Sequence, residues 1–173
     1  MKRHLTIIAF TILATVSLVF AQTDKEKKDM HSHMGASSAH VMMTSNDVKW
    51  GPAPPSLPSG AQFAVIEGDP SKAGGSYVIR AKMPDGYKVP PHWHPVTENV
   101  TVLEGSLYVG MGDKFDESAG KELTAGSFAS MPKGVRHYAW AKGETVIQVH
   151  GVGPFDITYV NPADDPRKKS GSK

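Results

Sequence analysis

Beyond about residue 60 the apolar positions fall into short runs, recurring at close intervals, and no stretch sustains a helical period. Strand-like runs occupy 62–67, 76–82, 98–110, 127–131, 136–140, 144–151 and 155–160. The run 98–110 is long enough for two strands or one bent strand, and Gly105 marks the break. Turn-forming clusters separate the runs: Gly68-Asp69-Pro70, Gly74-Gly75, Pro84-Asp85-Gly86, Gly112-Asp113, Pro132-Lys133-Gly134 and Gly153-Pro154. Seven or eight short strands with such punctuation predict an all-β domain, a sandwich or barrel. Ahead of them, Trp50 to Gly60 is proline-rich and reads as an extended surface connection.

The N-terminus departs from this pattern. Lys2 and Arg3 precede an apolar stretch, Leu5 to Phe20, and Val19-Phe20-Ala21 offers small residues where a signal peptidase reads them. That order predicts a secretory signal peptide over 1–21, with an uncleaved membrane anchor as the alternative. Secretion or a periplasmic address follows, with no membrane contact after cleavage. Residues 22–47 are polar and lack periodicity, so a disordered N-terminal leader is expected. This leader contains Met30, His31, His33, Met34, His40, Met42 and Met43, side chains that suit copper ions, although no spacing repeats. The folded domain is expected over 48–162, followed by a loose polar tail over 163–173.

Composition narrows the chemistry. Net charge is +2, and Lys2 with Arg3 supplies that excess, so the mature chain has no electrostatic footprint for nucleic acid. Glycine (17) and proline (13) are frequent, which agrees with many turns. There is no cysteine. Disulfides, thiolate ligands and cysteine nucleophiles are therefore excluded together.

One segment concentrates metal-binding side chains. His92 and His94 are separated by a single residue, so on a strand both imidazoles face one side while Trp93 faces the other. Pro90 and Pro91 hold the approach extended. Pro95-Val96-Thr97 can turn the chain, and Glu98 can open a returning strand. If the two strands pair antiparallel, Glu98 lies beside the histidines, and two imidazoles plus a carboxylate make three corners of a metal site. A fourth ligand must come from elsewhere.

The frame around these residues is more specific than the His-x-His pair. Gly86, His92, His94, Glu98 and Gly105 reproduce the spacing of the first cupin motif, and Gly126, Pro132, Gly134 and His137 that of the second. Ala141 stands where the second motif often has asparagine. The chain thus resembles the cupin superfamily over about Trp50 to Asn161, and is most similar to small single-domain cupins of the ChrR-like kind. The resemblance implies a cupin-type antiparallel jelly-roll β-barrel. It also implies one divalent transition metal ion per chain on His92, His94, Glu98 and His137. Three imidazoles and a carboxylate suit Fe, Mn, Ni, Co, Cu or Zn alike. Pro132 and Gly134 are expected to frame a tight hairpin that delivers His137.

Other polar positions are open to two readings. Gln148 and His150 share one strand face and either line the lumen or form an outer stripe. Tyr138 and Trp140 alternate with His137, so they are expected to pack away from the metal. Asn99-Val100-Thr101 matches a glycosylation acceptor but lies inside a predicted strand, which argues against its use. Three functions compete: a metal-dependent dioxygenase or isomerase acting on a small molecule, with Glu98 as its catalytic carboxylate; a non-catalytic metal- or ligand-binding module; and a metal-handling protein in which the leader takes part. The expected partner is a small-molecule ligand or substrate rather than nucleic acid, and a homodimer is compatible with the fold.

Overall fold

The computed structural model describes residues 40–169, and the expected signal peptide and most of the leader lie outside them. Nine strands follow in order: β1 (Gly51–Pro52), β2 (Gln62–Gly68), β3 (Ser76–Met83), β4 (Lys88–Trp93), β5 (Glu98–Met111), β6 (Lys121–Thr124), β7 (Phe128–Met131), β8 (His137–Val152) and β9 (Thr158–Tyr159). One short helix, α1 (Pro166–Lys169), ends the described chain. Among the described residues, no helix is long and apolar enough to cross a membrane.

All strand pairs are antiparallel and belong to one continuous curled sheet, the expected jelly-roll barrel. Two long strands hold it together. Along one part of their ladder, β5 (from Asn99) and β8 (from His150) pair with each other and are flanked by β7 and β3. Along the other part they remain paired and are flanked by β6 and β4. Between the two parts the ladder is irregular around Glu104 and Ser106. Gly105 sits there at φ 74°, and a Cβ at that position would run into the Glu144 carbonyl oxygen. The predicted break is therefore a bend within one strand, forced by close approach as well as by backbone conformation. Thr145, fully buried, pins the bend by donating to Ser106 O at 3.0 Å and accepting from Ser106 N at 3.2 Å.

Alternation along the strands explains the interior. In β3, Tyr77, Ile79, Ala81 and Met83 are buried while the residues between them are partly exposed. Val100, Val102 and Leu107 on β5 and Ile147 and Val149 on β8 meet them in one cluster. Full burial of each valine or isoleucine contributes roughly 1.5–3 kcal/mol before the entropy cost.

Two expectations change. Strand β4 pairs with β8 and β9 and not with β5. The segment after His94 therefore carries the chain to a different part of the sheet instead of closing a hairpin. Likewise β7 pairs only with β5, so Pro132-Gly134 is a crossing turn, closed by Val135 N to Pro132 O at 3.0 Å. In the C-terminal segment the described residues end in the short helix α1. Asn161 caps a short turn by accepting from Ala163 N, and Arg167 donates to Ile157 O at 3.0 Å.

Candidate metal centre

His92 lies near the end of β4, opposite His137 at the start of β8, and His94 lies just beyond β4. Glu98 is the first residue of β5. The three imidazoles offer ring nitrogens that all lie within 4.8 Å of one another. Glu98 Oε2 is 3.3 Å from His137 Nε2 and 3.5 Å from His94 Nε2. All four side chains are buried. The residues singled out in the sequence thus converge, although the carboxylate reaches the imidazoles across the barrel bend and not from a neighbouring strand.

The backbone dictates which nitrogen of each ring faces inward. His92 Nδ1 donates to Pro90 O at 2.7 Å, His94 Nδ1 to Asp156 O at 2.7 Å, and His137 Nδ1 to Val135 O at 3.0 Å. A carbonyl can only accept, so in each ring the proton sits on Nδ1 and Nε2 keeps its lone pair. Stacking of Phe155 on His94, with ring centroids 4.8 Å apart, fixes that ring further. Gly134 N donates to His94 O at 3.0 Å, which ties the second motif's turn to the first motif.

Inward lone pairs facing a carboxylate oxygen repel unless a cation lies among them. His94 Nε2 is buried and has no hydrogen-bond partner. Burial, then the neighbouring His137 and His94, hold the His92 imidazole down at about 3, against an ordinary value of 6.5. Burial pushes the Glu98 carboxyl up, but the adjoining rings of His137, His94 and His92 outweigh it, and the net shift is downward. A buried carboxylate among three inward ring nitrogens suits a divalent cation, and the N3O donor set fits the borderline transition metals.

Beside this cluster lies a cavity of about 250 Å³. The four side chains form part of its wall, and most of the rest is apolar. Ile147 and Val149 line it, which turns Gln148 and His150 to the outer face. There Gln148 Oε1 accepts from Arg80 Nε at 3.1 Å, so the outer-stripe reading holds. Tyr138 and Trp140 pack away from the imidazoles, stacked on one another with Phe115 against both. The Asn99 amide is engaged with His150 O and Ser130 Oγ.

Two contributors escaped the sequence reading. Phe155 and the Asp156 carbonyl brace His94 from a loop far along the chain, and a backbone acceptor carries no residue signature. Tyr77 has a buried hydroxyl with no partner, and burial together with the Glu98 charge raises its pKa.

Comparison with known proteins agrees with this architecture. The model of the cupin domain matches residues 79–153, a span that includes all four converging side chains. A germin-like protein of Oryza sativa subsp. japonica is 38% identical over 79 residues, 42% of this chain and 35% of that protein. The germin-like subfamily 3 member 2 of Arabidopsis thaliana is 30% identical over 78 residues, 44% of this chain and 34% of that protein. The chain therefore matches about a third of the length of these curated relatives. Among solved structures, the polyketide cyclase RemF from Streptomyces resistomycificus superposes with a TM-score of 0.55 at 19% identity, covering 75% of this chain and 91% of that one. An acetylacetone dioxygenase from Acinetobacter johnsonii gives 0.56 at 14% identity, covering 75% and 83%. At these identities the structural likeness speaks for the fold. With the motif spacing, the matched domain supports a cupin fold around the four converging residues.

Proposed function

We propose that the protein is an exported metal-dependent cupin in which His92, His94, Glu98 and His137 hold one divalent transition metal ion and a small molecule reacts in the adjoining cavity. The reaction class is oxygenation or isomerisation. The observation that carries this reading is the set of inward Nε2 atoms, each locked by a backbone carbonyl on its own Nδ1, around a buried carboxylate. When bound, the ion would act as a Lewis acid with coordination positions left for a substrate or dioxygen. The imidazoles contribute neutral donors. Glu98 would offset part of the ion's charge and, having two carboxylate oxygens, would be an adjustable donor beside an incoming ligand. The apolar walls limit water beside the reacting centre.

The non-catalytic binding module remains the second reading, for a specific reason. Tyr87, which lines the cavity, turns its hydroxyl onto Pro58 O at 2.6 Å, so it offers no acid or base to a ligand. Paired measurements separate the two. Purified protein should carry close to one ion per chain by metal analysis. On an oxygen-uptake screen of diketone, phenolic and thiol compounds, Glu98→Gln should depress turnover far more than ion content. A wild type silent across the screen would favour the binding module, and a metal-free preparation that resists reloading would sink both. Export predicts that N-terminal sequencing of the mature form begins at or near Gln22, and a soluble cytoplasmic form starting at Met1 would refute it.

A further inference from the structure

The polar capacity of the cavity is concentrated almost entirely in the four-residue cluster. Its walls are built from side chains such as Ile79, Ala81, Val100, Leu107, Ile147 and Val149, and among the described residues no lysine or arginine lines it. The other polar side chains that line it are largely engaged elsewhere. The Tyr87 hydroxyl donates to Pro58 O, and that of Ser71 to Asp69 Oδ1 at 2.6 Å. The Asp156 carboxylate accepts from Ile157 N at 2.8 Å and faces Arg167. Ser56 contributes one half-buried hydroxyl on the proline-rich loop. Even the imidazole protons are taken up by carbonyls. A ligand that fills this space finds partners for its polar atoms beside the four-residue cluster and hardly anywhere else. A charge carried on its other end would be desolvated without compensation.

Resting on the metal reading above, we infer that the cavity takes a small molecule with its oxygen donors gathered at one end and an uncharged, apolar body at the other. Size sets a second limit. At interior packing density, a volume of 250 Å³ accommodates roughly ten non-hydrogen atoms. That lies below the space a drug-sized ligand occupies. Sugar acids, phosphorylated metabolites and dicarboxylates fall outside this class.

Hydroxamates test the idea because one metal-binding head can carry different tails. Cobalt(II)-loaded full-length protein would be titrated with acetohydroxamate, benzohydroxamate and para-carboxybenzohydroxamate, following the visible absorption of the ion. Benzohydroxamate should bind at least about tenfold more tightly than acetohydroxamate, because the ring is buried. The para-carboxy compound should bind on the order of a hundredfold more weakly than benzohydroxamate. Equal affinity for the charged and uncharged aryl probes would overturn the inference while leaving the metal centre intact. Leu57→Arg places a cation on the half-buried loop lining the cavity and should bring the carboxylate probe back to within about tenfold of benzohydroxamate. If Leu57→Arg keeps benzohydroxamate binding and gives no such recovery, or if neutral para-nitrobenzohydroxamate, of the same size, is excluded as strongly as the carboxylate probe, charge is not what excludes the carboxylate and the inference is wrong. Failure to retain cobalt at all would bring down the metal reading, and this inference with it.

Discussion

His137 and Tyr138 are adjacent on β8, both buried, and point to opposite sides, into two ring clusters that are differently finished. On Tyr138's side the rings of Tyr108, Phe115, Tyr138 and Trp140 stack beneath the 112–120 segment. The Tyr138 hydroxyl donates to Asp116 O at 2.8 Å, and Gly110 and Gly120 lie so close to the rings that a Cβ would collide with them. On His137's side the imidazoles also touch, with centroids 4.2 Å apart for His92 and His137, but His94 Nε2 has no partner. The aromatic cluster is complete in itself. The imidazole cluster leaves a nitrogen unsatisfied among groups that could hold a metal ion.

Paired substitutions can break that contrast. His137→Ala should weaken metal affinity by more than about a hundredfold, since loss of an outer-shell partner alone costs up to that much. Trp140→Ala should cost about 3–5 kcal/mol of stability in denaturant unfolding yet leave the ion content of folded protein unchanged. If His137→Ala keeps its metal, or Trp140→Ala strips it from folded protein, the clusters are not separable in this way.

Acid should act through the imidazole side. His92 is held at about 3 in the fold, so between that value and the ordinary 6.5 the unfolded chain binds a proton that the folded chain refuses. Stability of metal-free protein therefore falls as pH drops through this window, by up to about 1.4 kcal/mol per pH unit. The depressed Glu98 carboxyl acts in the same direction at the lower end. Urea unfolding of wild type and His92→Gln across the window should show a shallower slope in the variant, and equal slopes would place the acid sensitivity elsewhere.

The smallest effect concerns Tyr77. Its hydroxyl is buried without a partner, so Tyr77→Phe should be neutral or stabilising by up to about 1 kcal/mol. A loss of more than that in thermal unfolding would mean that the hydroxyl holds a contact, with Glu98 the first group to examine.

Much of this was legible in the residues. The runs at 62–67 and 76–82 match β2 and β3 to within a residue, and in β3 the alternation reflects a sheet buried on one face. The runs 136–140 and 144–151 merge into β8, since Gly143 at φ 73° bends the strand without ending it. Strand β6 was missed because Lys121–Thr124 buries only Leu123 and shows no pattern. The four converging residues were readable because motif spacing singles them out directly. Their bracing was not, because it comes from carbonyls of Pro90, Val135 and Asp156, which any residue could supply.

The long β5–β8 ladder has a mechanical side. It runs from Asn99↔His150 to Met111↔His137, so laid flat its ends would stand about 40 Å apart. Yet Glu98 and His137, at those opposite ends, approach to 3.3 Å because the ladder doubles over at its bend. An ion gripped by both would behave as a rivet through a folded strap, resisting the motion that straightens it. Amide exchange at the two strand starts, near 98–101 and 137–140, should then slow together on loading, while edge strands such as β2 keep their rates.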